Sequence, residues 1–199
     1  MEGRKPGVEM FPKLNDIMLD MRGRGPFELK RGQVTEDTQQ LAAQAIALKE
    51  HRRYDVLAVA KEYQKWLPHA FTCPEPTKAA LALMADGRHP EFTGKRVWLE
   101  SSQKIRDNGS LMRAPGLGVF FVWDQAARIT ATLEDAQITH FAPICQLAGV
   151  IVNAIIAAGI RCPKERLDKV DAMKAIEAEL SIGAAQLGRQ HGDWVLQVK

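Results

Sequence analysis

Two short segments hold the side chains best suited to chemistry. The first is Val34-Thr35-Glu36-Asp37-Thr38, two adjacent carboxylates flanked by hydroxyls. Hard oxygen donors of this kind suit Mg²⁺, Mn²⁺ or Ca²⁺. A metal held there can orient or activate a water for hydrolysis. The same residues also read as a well-capped helix start, with Thr35 as N-cap and Glu36 and Asp37 in the first turn, where the helix dipole favours negative charge. The second segment is Asp107-Asn108-Gly109-Ser110-Leu111-Met112-Arg113-Ala114-Pro115. Gly109 lets the backbone approach a ligand closely, Asn108 and Ser110 donate and accept hydrogen bonds, and Arg113 offers a planar fork to a phosphate. Taken alone, it is equally a polar turn ahead of a buried helix. A third feature, Thr139-His140 just before Pro143, sets a histidine at a helix entry. There it can bind a ligand, act as acid or base, or simply cap and pack.

The elements that must position these residues are helices. Leu41, Ala45 and Leu48 follow Thr35 at helical spacing, and Val56, Ala60, Tyr63 and Leu67 mark a second helix over 55–67. Further helices are predicted over 77–85, 97–105, 126–139, 144–160 and 164–180, with a possible short one over 14–21. The apolar run 117–123 fits either a strand or a buried helix, since its periodicity does not discriminate. The spacing therefore predicts an all-α domain with short connections, one domain over 1–199.

Composition narrows the class. The chain has 199 residues, 46% hydrophobic and 26% charged, enough for a real core. Its net charge of +3 is spread over short clusters such as Arg22 to Arg24 and His51 to Arg53, without interleaved aromatics, which argues against nucleic acid. Cys73, Cys145 and Cys162 stand far apart, with no Cys-x-x-Cys pair. They fit a reducing cytoplasm better than a disulfide framework or a zinc site. No apolar h-region follows the N-terminal charges. The apolar stretch 143–160 is shorter than the roughly 20 residues of a membrane helix and carries Gln146 and Asn153. A buried helix is expected there, and no membrane partner.

The chain resembles the ADP-ribosylglycohydrolase family over about residues 25–160. Phe27 to Gln39 is similar to the segment that carries the family's Thr-Asp-Asp-Thr metal motif. Residues 55–66 resemble its helix ending in a Tyr-x-x-Trp-like pattern. Residues 107–115 are similar to its Asn-Gly-Ser/Ala-x-Met-Arg segment, and Ala136 to His140 followed by Pro143 to its Thr-His segment and long apolar helix. The resemblance implies an all-α orthogonal bundle with two magnesium ions in a cleft. The implied reaction is hydrolysis of the glycosidic bond that joins ADP-ribose to a protein or small acceptor. Thr35, Glu36 and Asp37 would be metal ligands, with Glu36 and Asp37 at the reacting water. Asn108, Gly109, Ser110, Met112 and Arg113 would line the ADP-ribose pocket, and His140 would sit near the distal ribose or diphosphate.

Three departures shape the expectation. Glu36 stands where the family usually has Asp, and its extra methylene displaces a ligand to an ion that demands near-ideal geometry. The family's first helix is expected to precede the start of this chain. Its later Gly-Gly-Asp-x-Asp-Thr/Ser motif has no counterpart: Asp168 and Asp171 have the wrong spacing, and Gly192-Asp193 continues as Trp194-Val195. The expectation is an incomplete bundle with half of a metal cage. It would act as a magnesium-dependent hydrolase or as a non-catalytic relative that binds ADP-ribose or a protein partner. A second copy or a completing segment would cover the apolar surface that missing helices leave.

Overall fold

A computed structural model describes Gly23, Arg24, residues 27–162 and residues 169–191. The chain divides into two compact units, residues 1–35 and 36–199. The predicted short helix over 14–21 lies outside the described residues. In the first unit Arg24 and Leu29 form an isolated antiparallel bridge, with the Leu29 N–H donating to the Arg24 carbonyl at 3.2 Å. Gly23 has φ +77°, and a Cβ there would meet the Leu29 carbonyl oxygen at 2.6 Å, so only glycine fits this turn.

The second unit is all-α among its described residues. Its helices are α1 (Glu36–His51), α2 (Val56–Trp66) with a 3₁₀ turn at Leu67–His69, α3 (Glu75–Ala85), α4 (Pro90–Glu100), α5 (Pro115–Phe120), α6 (Gln125–Thr139), α7 (Pro143–Arg161) and α8 (Lys169–His191). Their starts follow local chemistry. Asp55 Oδ1 accepts the Leu57 and Ala58 N–H groups at the head of α2, and Asp124 Oδ1 accepts the Ala127 N–H at the head of α6. Pro90, Pro115 and Pro143 each occupy the first position of a helix, where the missing N–H costs nothing.

Two expectations are corrected here and one open reading is resolved. The helix predicted over 97–105 starts at Pro90 and ends at Glu100, because Ser102 and Gln103 turn into the left-handed region (φ 54° and 64°). Gly94 does not break it. A Cβ at this position would lie 2.2 Å from the Gln137 carbonyl oxygen, so the glycine is what lets α4 approach α6. The helix predicted to stop near Leu180 continues to His191, carrying Leu187 into the core. The ambiguous run at 117–123 begins inside the short helix α5.

Helix α6 is the centre of the unit and touches α2, α3, α4, α5, α7 and α8. A helix surrounded in this way must be buried nearly all round. Arg128, Ile129, Ala131, Thr132, Leu133, Asp135, Ala136, Ile138 and Thr139 are all buried. One core cluster joins Ala43, Ala47, Val59, Ala60, Tyr63, Trp66, Leu81, Met84 and Ile138, and a second joins Ile129, Leu133, Leu147, Val150 and Leu187. By length and composition α7 could cross a membrane. Its polar residues are buried and paired within the protein: Gln146 donates to the Phe141 carbonyl at 2.7 Å, and Asn153 donates to Thr132 Oγ1 at 2.7 Å. In the first turn of α6, Arg128 is fully buried against Glu179 of α8, with Nε 3.2 Å from Oε2 and Nη2 also donating to Oε1.

Candidate functional site

Because most of α6 is buried, the polar residues on its buried positions must find partners within the protein. Asp135 falls at helical spacing between Ala131 and Ile138 and therefore points inward. Its Oδ1 accepts the Tyr63 hydroxyl at 2.8 Å, and its Oδ2 accepts Arg113 Nε at 2.8 Å. The same guanidinium donates through Nη1 to Gln40 Oε1 (2.9 Å) and through Nη2 to the Asp135 carbonyl (2.8 Å) and Thr139 Oγ1 (2.9 Å). It also lies 4.6 Å over the Tyr63 ring. Burial alone would lower the Arg113 pKa, but the Asp135 carboxylate together with Tyr63 and Tyr54 outweighs this and leaves it raised. Burial, with Asp135 adding to it, holds the Tyr63 hydroxyl well above its ordinary range, so it stays a donor.

This network continues outward through Thr139 to His140, a fully buried ring. Thr139 Oγ1 is 2.8 Å from His140 Nδ1, and His140 Nε2 is 2.7 Å from Asp107 Oδ1. For a neutral imidazole one donor order satisfies every group. Thr139 accepts from Arg113, gives its own proton to Nδ1, and leaves the ring proton on Nε2 to be donated to Asp107. Asp107 Oδ1 also accepts the Gly109 N–H at 2.9 Å. The His140 hydrogen bond, working against burial, holds the Asp107 carboxyl below its ordinary range, and the Gly109 N–H adds to the effect. A Cβ on Gly109 would sit 2.5 Å from His140 Cε1, so glycine is what lets the turn lie on the imidazole. At the outer end of this chain the Asp107 side chain is 45% exposed.

The structure thus ties the second and third sequence features directly together. It also brings the second within one helical turn of the acidic turn, since Gln40 lies four residues beyond Glu36 on α1. Glu36 is half-buried and accepts from the Thr72 hydroxyl, while Asp37 is exposed. The loop that carries Thr72 is pinned to α1 by Gln39 Oε1, which accepts both Trp66 Nε1 (2.9 Å) and the Phe71 N–H (3.0 Å). Asn108 is exposed, Met112 half-buried, and Gly109 and Ser110 buried. Ser110 Oγ and Gln40 Nε2 are buried without a partner. Thr35 belongs to the first unit, immediately ahead of α1.

The role expected of Arg113 does not match this placement. Its guanidinium is fully buried and spent on Asp135, Gln40 and Thr139, so it holds helices together and does not face a phosphate. His140 is enclosed in the same way, and it is Asp107 that meets solvent. Sequence reasoning missed Asp135, Gln40 and Tyr63. The signal for Asp135 was present, a carboxylate on the apolar stripe of α6. Among the described residues no group of three or more His, Cys, Asp or Glu side chains could hold a metal ion. A groove of about 520 Å³ between α1 and α5 is lined by Leu41, Ala45, Leu48, Pro115 and Phe120, together with Lys49 and Arg52. None of the expected site residues lines it.

Residues 2–196 match the family model described as ADP-ribosylglycohydrolase. A protein of Acanthamoeba polyphaga mimivirus named "Putative ADP-ribosyl glycohydrolase" is 29% identical over 147 residues, 70% of this chain and 43% of that protein. The chain spans less than half the length of this curated relative.

Proposed function

From the premise that the chain belongs to the ADP-ribosylglycohydrolase family, we propose that it takes part in hydrolysing the glycosidic bond between ADP-ribose and an acceptor, with magnesium as cofactor. The observation that carries this reading is the family match over nearly the whole chain. The hydrogen-bonded path from Gln40 through Arg113, Thr139 and His140 to Asp107 supports it, because it links the segments such a site would use.

In this reading the donors present make one edge of a magnesium sphere. Mg²⁺ commonly takes one or two carboxylates and keeps several waters. Asp37 is exposed, and Glu36 is fixed by Thr72 with one carboxylate oxygen left over. In this reading Thr35, Glu36 and Asp37 hold the ion, whose chemistry is to lower the pKa of a water and to polarise the reacting oxygen. The residues of the chain do the rest. The Asn108–Ser110 turn, rigid on the His140 ring, seats the ligand against backbone N–H groups, and Met112 walls it. We extend the reading to a cytoplasmic setting, which the free cysteines suit, and to a second copy or further segment over the apolar α1–α5 groove.

A second reading, ADP-ribose binding without turnover, is favoured by the open donor set among the described residues. One experiment separates the two. Purified protein is given ADP-ribose with and without Mg²⁺ in a calorimeter, then an ADP-ribosylated protein substrate. Hydrolysis expects Mg²⁺-dependent release of ADP-ribose that Asp37→Ala abolishes. Binding without release selects the second reading, and neither binding nor release with any divalent ion sinks both.

A further inference from the structure

Asp107 is the residue at which the buried network reaches solvent, and no role has been given to it. Its Oδ1 is engaged twice, by Gly109 N–H at 2.9 Å and His140 Nε2 at 2.7 Å. The side chain is nonetheless 45% exposed. Both of these bonds fall on Oδ1, so Oδ2 is the oxygen left for a donor from outside. The support behind it is unusual. In most Asp–His pairs built for function the carboxylate is buried and the imidazole presented. Here the imidazole is fully buried, bonded on both nitrogens, and the carboxylate is presented. Cys145 Sγ also donates to the Asp107 backbone carbonyl at 3.3 Å, so main chain and side chain are both fixed. Three residues on, Ser110 Oγ is buried with no partner, an unmet hydroxyl on the same turn.

A fixed, ionised oxygen accepts hydrogen bonds and repels anions. It selects a group with hydroxyl donors over a phosphate. With Arg113 turned inward, the turn itself carries no free cation to reverse that preference, although exposed Arg106 flanks it in sequence. Resting on the reading of the site as an ADP-ribose pocket, we propose that Asp107 is a specificity-determining residue. Its Oδ2 accepts the hydroxyls of the ribose at the reacting end of ADP-ribose.

The test is calorimetric titration of ADP-ribose and of ADP, which lacks that ribose, into wild type and Asp107→Asn with Mg²⁺ present. The asparagine keeps an oxygen for His140 and Gly109 and places an amide nitrogen where Oδ2 was. Trading a charged acceptor for a neutral group weakens a hydrogen bond by about tenfold in affinity. ADP-ribose binding is expected to fall by roughly this factor and ADP binding to stay unchanged. Equal weakening of both ligands, or of neither, overturns the inference and leaves the pocket reading standing. Wild type that fails to bind ADP-ribose removes the pocket reading and the inference together. If Asp107→Asn does not fold by circular dichroism, Asp107→Glu carries the same comparison, since its charge is kept but displaced by a methylene. The same selective loss is then expected, and an unchanged preference for ADP-ribose over ADP refutes the assignment.

Discussion

Replacing Arg113 by methionine removes the charge while keeping much of the volume, and leaves four acceptors behind. These are Asp135 Oδ2 at 2.8 Å, the Asp135 carbonyl at 2.8 Å, Gln40 Oε1 at 2.9 Å and Thr139 Oγ1 at 2.9 Å. The Asp135 carboxylate is 2% exposed, so water cannot take over from the guanidinium. Removing one partner of a buried ion pair costs about 3–5 kcal/mol, mostly because the surviving charge stays desolvated. Native domains are stable by only about 5–15 kcal/mol, so Arg113→Met is expected to remove roughly a fifth or more of the total. Arg113→Lys keeps the charge but not the fork, and should fall between wild type and methionine. Urea unfolding followed by circular dichroism measures each variant. The decisive quantity is the coupling with Asp135→Leu. Each single variant strands one charge and the double strands none, so the summed single losses should exceed the double by about 2 kcal/mol or more. An Arg113→Met loss below about 1 kcal/mol, or additive losses, refutes the view that this arginine is an internal tie.

Two further outcomes follow from the same network. Gly109→Ala forces a Cβ to within 2.5 Å of His140 Cε1; the turn must shift, with a stability loss of about 1–3 kcal/mol and weakened ADP-ribose binding, and a variant as stable as wild type would show the turn to be looser than described. The Asp107 carboxyl titrates below its ordinary range when folded, chiefly through His140, so its contribution is present above the unfolded pKa of about 3.9 and disappears as pH falls through the lower folded value. Asp107→Asn should therefore flatten the fall of stability with pH below about 4, and an unchanged acid slope in thermal melts would contradict the pairing.

Much of the fold was legible because it depends on local rules. Helical spacing located α1, α2, α6 and α7 to within a residue or two, and Pro143 marked the start of α7. Failures occurred where tertiary contact overrides local propensity. Gly94 reads as a weak helix residue, yet α4 runs through it because α6 needs the space. The last helix outruns its fading pattern because Leu187 finds a place in the α6–α7 core. At the site the types were legible and the directions were not. A polar turn that ends in arginine looks like a phosphate grip. Only the inward carboxylate at Asp135, 22 residues downstream, explains why the arginine turns away.

That reversal changes what recognition of ADP-ribose requires. Arg113 was the cation among the residues assigned to the substrate, and it is internal. Glu36, Asp37 and Asp107 are the ionisable groups of the set that keep contact with solvent. A diphosphate within about 4 Å of a carboxylate meets a like-charge repulsion of about 1 kcal/mol per pair of charges in water and about 4 kcal/mol at the effective dielectric of a protein surface. Binding such a ligand therefore calls for a cation between it and the acidic turn, backbone N–H groups around its phosphates, or a seat that sets hydroxyls rather than phosphates against the carboxylates. The first is the proposed magnesium at Glu36 and Asp37, the second the Asn108–Ser110 turn, and the third Asp107. The three are separable by charge. Metal binding at Glu36 and Asp37 should change affinity for ADP and ADP-ribose alike, because both carry the diphosphate, whereas Asp107 should distinguish them.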